Sequence, residues 1–346
     1  MKEKNNRRTW MATLGILLAG VLLFVLNLLV GSVTVPFRQF WEVLTGAGDA
    51  TARTIILEYR LPQAFTALFA GIGLSLSGLL MQTLFRNPLA DPSILGISSG
   101  ASLGVALVVL LTGQLSGMAV STLPGWSTVG VTVAAFAGAF LVLLLILALS
   151  SRLQSMVSLI LVGIMIAYIA SSVTDVLKFF SQKEDVHTFV IWGFGSFSNV
   201  GKPQLWYLGS CILAGGFAAY LLSKSLNLLL LGERYAENLG LRIRRASLLV
   251  ILVSGFLMAV ITAFCGPIAF IGLAVPHLAR FTYHTSDHFK LIPATAVIGM
   301  DLALLCNLIA RLPGFDGNLP INSVTALVGA PIVIYVIFHR QKVLSK

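Results

Sequence analysis

Long runs of apolar residues separated by short polar turns make up most of this chain. The hydrocarbon core of a bilayer is about 30 Å thick, so a spanning helix needs roughly 20 predominantly apolar residues. Backbone N–H and C=O groups in hydrocarbon must be bonded within the chain, which favours helices for such runs. The pattern predicts an all-α, polytopic membrane protein with about ten transmembrane helices. The predicted spans cover residues 11–30, 61–84, 93–112, 127–150, 153–174, 203–223, 246–264, 267–280, 291–310 and 319–338.

Two of the predicted boundaries fall inside stretches that carry no Asp, Glu, Lys or Arg. Residues 92–150 are one such stretch, and Pro124-Gly125 is the turn signal that divides it. Residues 246–279 are the other, and as one helix they would be about 51 Å long. That length exceeds a single crossing. Gly266-Pro267 is therefore predicted to end the seventh helix and to precede a short eighth one.

Composition supports the membrane class. Of the 346 residues, 57% are hydrophobic and 10% are charged, and the mean hydropathy is +0.92. Soluble globular chains carry about 25% charged residues, so this chain has too few charges to cover a water-soluble particle. We interpret residues 1–346 as a single transmembrane domain in lipid. Three cysteines lie in apolar runs and indicate neither a disulfide framework nor a metal site: Cys211, Cys265 and Cys306.

The basic residues indicate a topology. With the N-terminus inside, 16 of the 23 Lys and Arg residues fall in segments that are predicted to be cytoplasmic, which is the positive-inside bias. Both termini are then cytoplasmic. The net charge of +10 is explained by this topology, so nucleic acid is not indicated as a partner. The first apolar run is predicted to be a retained helix, because it is longer than a signal sequence and lacks a small-x-small cleavage site.

The densest pattern runs from Arg60 to Gly104. Pro62 suits the first turn of a helix, where its missing N–H costs nothing. Asn87-Pro88 is predicted to end that helix, and Asp91-Pro92 is typical of a cap followed by a first-position proline. Small residues recur every fourth position afterwards, which is typical of close helix packing in lipid, at Gly96, Gly100 and Gly104. Spacing alone is equally consistent with membrane architecture that has no further role.

The same string, RLPQAFTALFAGIGLSLSGLLMQTLFRNPLADPSILGISSGASLG, closely resembles the FecCD family of permeases from iron–siderophore and vitamin B12 ABC importers. Two further hallmarks of that family follow in order. One is CGPIAFIGLAVPHLAR from Cys265, which contains Gly266, Pro267 and Pro276; the other is LPINSVTALVGAPIVIYVI from Leu319. LGERYAENLG, from Leu231, resembles the cytoplasmic coupling segment of the family. The resemblance covers nearly the whole chain.

The resemblance implies a type II ABC importer permease of the bacterial inner membrane. It implies a homodimer, or a dimer with a related permease, around a central pathway. Two cytoplasmic ATPase subunits would hold the ATP, and an extracytoplasmic binding protein would deliver iron–siderophore, haem or cobalamin-like cargo for alternating-access transport. This chain has no G-x-x-x-x-G-K-[ST] loop and no catalytic constellation, so we expect neither an enzyme nor a bound cofactor.

The resemblance also assigns roles to individual positions. Five residues within the coupling segment, about 225–245, match the family's ATPase-contacting pattern: Gly232, Glu233, Ala236, Leu239 and Gly240. The alternative for this segment is a capped, solvated surface turn. Arg60 and Arg311 match arginines that meet carboxylates of the binding protein, where charge would mainly set orientation and association rate. Their alternative role is interfacial snorkelling towards lipid headgroups.

Three positions depart from the family pattern. Gln63 replaces a second arginine, Asn307 replaces an acidic residue, and Asn318 replaces the usual Glu before Leu-Pro. These changes alter the charge of the predicted outer face and leave the fold expectation intact.

Asp301 is the one acidic residue placed within a predicted span. A carboxylate there costs roughly 2.5–3.5 kcal/mol on insertion scales, so it should face protein or water. A packing role is favoured because the family pattern does not require an acid here. The alternative is a proton relay, which would make the chain a proton-coupled secondary transporter; a third hypothesis is a membrane scaffold.

His284 and His288, with Asp287, lie in a predicted cytoplasmic turn without a clear third ligand, so no metal site is expected.

Overall fold

A computed structural model describes residues 2–31, 36–46, 48–116, 126–153, 155–312 and 318–344. In this described part all regular secondary structure is helical. A π-helical turn, Ile55–Arg60, and a 3₁₀ turn, Pro92–Leu95, supplement the α-helices. The α-helices are α1 (Lys2–Leu29), α2 (Phe37–Leu44), α3 (Ala50–Thr54), α4 (Leu61–Leu84), α5 (Ile97–Ser116), α6 (Trp126–Ser150), α7 (Met156–Phe180), α8 (Lys183–Gly193), α9 (Lys202–Leu221), α10 (Ser223–Leu230), α11 (Glu233–Asn238), α12 (Ile243–Cys265), α13 (Ile271–Tyr283), α14 (His288–Ala310) and α15 (Ile321–Leu344).

The all-α membrane class is confirmed, and a helix coincides with each predicted span. The α9 and α10 helices are long and apolar enough only when taken together, and a bend of 49° separates them, which fits either a broken span or a re-entrant pair. Shorter apolar helices occupy two further predicted spans, namely Ile97–Leu111 and Ile321–Val336. The predicted eighth span contains the 13-residue α13, which is shorter than a single crossing requires. A count of ten crossings therefore stays a prediction. Six helical segments in the described residues are long and apolar enough to cross a bilayer alone: Met11–Leu29, Ala50–Leu84, Val129–Ser150, Met156–Phe180, Ile243–Cys265 and His288–Ala310.

The α4 helix lies at the centre of the bundle, and 19 of its 24 residues are buried. Its glycines allow backbone contact with two neighbouring helices. A Cβ built on Gly71 would lie 2.2 Å from the Gly299 carbonyl oxygen of α14, and one on Gly78 would lie 1.8 Å from the Gly272 carbonyl oxygen of α13. Only residues without a side chain permit such approaches, which is how small-residue faces pack in membranes.

The start of α4 differs from the sequence prediction. Pro62 does occupy the first turn of α4, but helical backbone already precedes it from Ala50 through the π turn Ile55–Arg60. A π turn opens the regular hydrogen-bond ladder by one residue. A proline can then follow without ending the helix, because its missing N–H and its ring fall where the ladder is already irregular.

The turn between α4 and α5 is held by local side-chain bonds. Asn87 Oδ1 accepts from the Leu89 backbone N–H at 2.9 Å, and Asp91 Oδ1 accepts from Ser93 N–H at 2.9 Å. The Pro88 carbonyl lies 2.8 Å from His277 Nε2 of α13. Gly96 closes the turn with a left-handed φ of +78°. Burial in this turn raises the pKa of Asp91 above its ordinary value.

The break predicted at Gly266-Pro267 lies where α12 ends. Gly266 has a φ of +75°, and a Cβ there would lie 2.5 Å from the Trp192 carbonyl oxygen. Asn322 Oδ1 then accepts from Ala269 N–H at 3.1 Å and holds the segment that leads into α13. Pro276 lies inside α13.

Polar contacts gather the helix ends into two groups. The first, which we term the Arg60 end, includes the last turn of α1, Arg60, Arg311 and the Lys202–Glu58 ion pair. The second, the His288 end, includes the Arg280–Gln82 and Thr83–His288 contacts. The α4 helix runs from the first end to the second and α14 runs back, so the two groups lie at opposite ends of the bundle.

Candidate functional site

Arg60 is buried at the end of α1. Its side chain is 2% exposed. Its Nη1 donates to the carbonyl oxygens of Leu28 at 2.9 Å and Leu29 at 2.7 Å. These are C-terminal carbonyls that have no partner within a helix. Arg60 therefore caps α1 and ties it to the start of α4.

Arg311, at the end of α14, also contacts the last turn of α1. It is 7% exposed, and its Nη1 lies 3.3 Å from the Asn27 carbonyl oxygen. The two guanidinium groups are close enough that a Cβ on Gly31 would contact both. Burial, followed by the charge of Arg60, lowers the pKa of Arg311 to about 10. The structure thus brings together the two arginines that the sequence singled out.

A relay of neutral amides lies beside the arginines and joins three helices. Gln63 Nε2 donates to Asn307 Oδ1 at 3.1 Å, and Asn307 Nδ2 donates to Asn27 Oδ1 at 2.7 Å. Asn27 Nδ2 continues to the carbonyl oxygens of Leu23 and Leu304, at 2.8 and 3.0 Å. Two positions that depart from the family pattern are therefore bonded to each other. Asn27 was not predicted, although an amide inside an apolar run is a detectable signal.

These polar groups border a cavity of about 750 Å³ at the Arg60 end. Arg60, Gln63 and Arg311 lie on one side, and the turn before α9 forms another. The remaining lining includes Glu58, Gln204 and Asn318. The cavity is lined by two arginine cations and by one carboxylate, Glu58, whose charge is offset by its ion pair with Lys202. The remaining positive charge produces a potential that favours acidic groups.

The segment predicted to couple to the ATPase forms the compact turn around α11 at the His288 end. Gly232 and Gly240 flank it with φ values of +110° and +85°, in the left-handed range that glycine adopts freely. The Gly232 carbonyl accepts from Ala236 N–H at 2.9 Å, and the Ala236 carbonyl accepts from Leu241 N–H at 2.9 Å. Ala236 is fully buried, so it anchors the turn.

An apolar row projects outward from this turn. Leu231, Tyr235 and Leu239 are 59%, 69% and 61% exposed. Tyr235 of α11 and Leu239 directly after it are four residues apart, a spacing that puts them on one face. Leu231 precedes Gly232, which separates it from α11, and is the exposed apolar residue at the start of the turn. Glu233 and Glu237, in contrast, line a cleft of about 670 Å³ together with Arg244. Of the row, only Leu239 was singled out from the sequence.

A polar connection joins α10, which leads into this turn, to the start of α14. Asn227 Nδ2 donates to Asp287 Oδ1 at 2.7 Å. The His288 backbone N–H donates to Asn227 Oδ1 at 2.8 Å, which fixes that oxygen as an acceptor. His288 Nδ1, 2.7 Å from the same oxygen, therefore carries a proton. His288 Nε2 lies 2.9 Å from Thr83 Oγ1 of α4. We term this set the Asn227 clamp.

Asp287 accepts two hydrogen bonds within the clamp. It caps α14 by accepting from Phe289 N–H at 3.1 Å, and it accepts the bond from Asn227. The Asn227 hydrogen bond, supported by the cap and by neighbouring positive charge, holds the pKa of Asp287 below its ordinary value. Both ring nitrogens of His288 are engaged. Among the described residues no group of three His, Cys, Asp or Glu side chains is arranged to hold a metal ion.

Asp301 lies in the middle of α14 and faces α1. A Cβ built on Gly20 would lie 2.4 Å from its Oδ1. Within the described residues that oxygen is buried and accepts no hydrogen bond. Gly20 therefore leaves the space that Asp301 occupies between the two helices.

Comparisons with known proteins extend over nearly the whole chain. The profile of the FecCD transport family matches residues 17–339. The hemin transport system permease protein HmuU of Yersinia pestis is 34% identical over 94% of this chain and 96% of the relative. The vitamin B12 import system permease protein BtuC of Klebsiella pneumoniae is 35% identical over 99% of this chain and 96% of the relative.

Two solved structures share the architecture. A metal-chelate type ABC transporter in an inward-facing conformation is similar with a TM-score of 0.81 and 31% identity, over 94% of this chain and 98% of that one. PsaBC from Streptococcus pneumoniae has a TM-score of 0.58 at 16% identity, which shows the fold alone, over 86% of this chain and 95% of that one.

The helical bundle and these matches define a permease of the ABC importer class. The chain belongs to the FecCD transport family. The resemblance read from the sequence motifs is thereby confirmed.

Proposed function

We propose that this chain is the membrane subunit of an ATP-driven importer that takes up an iron–siderophore or related metal chelate by alternating access. Haem and cobalamin are the alternative cargoes, since the relatives include a hemin permease and vitamin B12 permeases. The observation that carries the proposal is the exposed row of Leu231, Tyr235 and Leu239 on a turn flanked by two glycines. Glu233, Arg234 and Glu237 of the same turn are exposed as well, so the turn faces water and not lipid. Three large apolar side chains exposed to water are unfavourable on a free surface, whereas a partner groove would bury them.

The proposed partners follow from that row and from the family. Two ATPase subunits would bind the α11 turns of a permease dimer, formed by two copies or by a copy and a related permease. ATP would be bound and hydrolysed on those subunits, with no cofactor or metal on this chain. The His288 end would face the cytoplasm, together with both termini, because its segments carry most of the Lys and Arg residues.

The extracytoplasmic binding protein would then dock at the Arg60 end. Arg60 and Arg311 are buried and bonded to α1, so they would act mainly through the positive potential of the cavity that they border. Acidic residues at the rim of a binding protein would be oriented by that potential, which affects association rate more than final affinity. The secondary-transporter hypothesis raised by Asp301 is not retained, because the family assignment favours ATP-driven transport.

Co-purification is the first test. The tagged chain is isolated from its native host in mild detergent, and the accompanying chains are identified by mass spectrometry. We expect a soluble subunit with a phosphate-binding loop, near one copy per permease. Repeated recovery without such a subunit, under conditions that preserve a known ABC complex, would refute the proposal.

Cargo is tested in proteoliposomes that contain the complete complex. ATP-dependent uptake of three radiolabelled probes is compared: a ferric hydroxamate chelate, hemin and cyanocobalamin. The corresponding binding protein is added on the outside. Uptake of the ferric chelate alone would establish the first cargo assignment. Uptake of hemin or cyanocobalamin instead would move the assignment within the family, and ATP-independent uptake would contradict the mechanism.

A further inference from the structure

The proposed coupling turn is attached to the bundle through the helix that precedes it. Leu226 and Leu229 of α10 are buried, and between them Asn227 forms the clamp with Asp287 and His288. Apolar contacts such as those of the two leucines are non-directional and permit sliding. The bonds of Asn227 are directional, and one of them ends on a carboxylate, which makes it stronger than a bond between neutral groups.

The clamp acts on the first turn of α14. Asp287 is the cap of that helix, and the backbone N–H of His288 is itself bonded to Asn227. A displacement of α10 must therefore carry the first turn of α14 with it or break three hydrogen bonds at the same residue. Through His288 Nε2 the same displacement reaches Thr83 near the end of α4.

The α4 and α14 helices are joined along their full length. Beyond the Thr83–His288 contact, Ser75 Oγ of α4 donates to the Thr295 carbonyl of α14 at 3.1 Å. At the Arg60 end, Gln63 donates to Asn307. Between these levels the two backbones touch at glycines. The pair is therefore a rigid connection between the coupling turn and the cavity that the two arginines border.

We infer that Asn227 is a positioning residue that transmits movement of the coupling turn to the α4–α14 pair. This inference rests on the proposed function, because it needs an ATPase that moves the turn. It assigns a role to Asn227 that goes beyond holding α10 in place. When the hydrogen bonds of the Asn227 clamp are removed, the coupling turn should still bind its ATPase, but ATP binding should no longer reposition α14.

The test uses the complete permease–ATPase complex in lipid. Two quantities are measured: the ATP hydrolysis rate, and the change in amide hydrogen exchange along α4 and α14 when Mg-ATP and vanadate are added. For Asn227→Ala we expect retained assembly and hydrolysis. The ATP-driven change in amide hydrogen exchange along α14 should weaken at least about tenfold, because the substitution removes all three hydrogen bonds of Asn227, one of them to a carboxylate.

A reciprocal exchange separates transmission from local folding. Asn227→Asp places a second carboxylate against Asp287 and should abolish the response of α14. Adding Asp287→Asn restores the pair with its donor and acceptor reversed: the carboxylate at 227 accepts from His288 and from the new amide. That amide nitrogen takes the position of Asp287 Oδ1, so Phe289 N–H loses its side-chain acceptor while the clamp is kept. We expect the double variant to recover the response.

Ser254→Ala is the matched control. It removes a buried bond to Ser77, 2.8 Å long, between α12 and α4, and should leave the ATP-driven response unchanged. A normal response in Asn227→Ala, or a double variant that stays as defective as Asn227→Asp, would overturn the inference. Failure of the wild-type chain to bind any ATPase would instead defeat the proposed function, and the inference with it, before a variant is made.

Discussion

Arg60 and Arg311 start from different helices and converge on Gly31, just beyond the end of α1. A Cβ on Gly31 would lie 3.0 Å from Nη2 of Arg60 and 2.7 Å from Nη2 of Arg311. Both guanidinium groups also bond to carbonyls of the last turn of α1. The C-terminus of a helix carries partial negative charge, which offsets the repulsion between the two cations. The pair therefore holds α1 on the bundle, in addition to any contact with an external partner.

Replacement of Arg60 tests this structural task. In Arg60→Leu the Leu28 and Leu29 carbonyls lose their donor, and we expect a loss of about 1–3 kcal/mol in stability. The measurement is the thermal unfolding midpoint in detergent, monitored by the fraction of folded protein on size exclusion. Arg53→Leu is the control, because Arg53 is exposed. Equal midpoints for Arg60→Leu and wild type would show that the cap contributes nothing.

The contact of Gly78 with α13 should tolerate no side chain. In Gly78→Ala a methyl group would lie 1.8 Å from a backbone oxygen of Gly272, so one helix must shift. Overpacking of this kind typically costs about 1–3 kcal/mol, and more where backbone is struck. We expect little folded protein in membranes. Gly15→Ala is the matched control: its Cβ meets nothing within 4 Å, so expression should be normal or slightly higher. Normal yield of Gly78→Ala would contradict the packing.

Local signals predicted much of the fold. The Gly266-Pro267 break and the Asn87–Pro92 turn follow from residues that act on their own backbone, through positive φ, missing donors and Asx bonds. Apolar run lengths likewise located the helices. These effects need no knowledge of distant parts of the chain, so one sequence suffices to find them.

The hydrogen bonds between polar side chains of distant helices could not be predicted in the same way. Asn27 depends on Asn307, 280 positions later, and Asn227 depends on Asp287, 60 positions later. A lone amide in an apolar run indicates a buried partner but does not identify it. The π turn before Pro62 was also missed, since nothing in Ile55–Arg60 marks an irregular ladder that is stabilised by tertiary packing.

The exposed row on the coupling turn gives a binding prediction. Tyr235→Ala combined with Leu239→Ala should weaken ATPase association by at least about 2 kcal/mol, because central aromatic anchors carry much of an interface's energy. The measurement is the amount of ATPase retained on immobilised permease across a concentration series. Leu14→Ala is the control, because Leu14 is 59% exposed on α1, away from the turn. Equal retention by the double variant and the control would exclude this row as the interface.

Asp301 tests whether a carboxylate inside the bundle takes part in transport. Its Oδ1 packs against Gly20, and Asn has nearly the same shape without an ionisable group. If Asp301 only fills the α1–α14 contact, Asp301→Asn should keep near-normal ATP-dependent uptake of the probe that the wild type transports. Gly20→Val is the comparison: it should damage the same contact sterically and reduce folded protein. Loss of uptake in Asp301→Asn, with intact folding and ATPase assembly, would show that the proton or charge of Asp301 is needed and would revive a relay role.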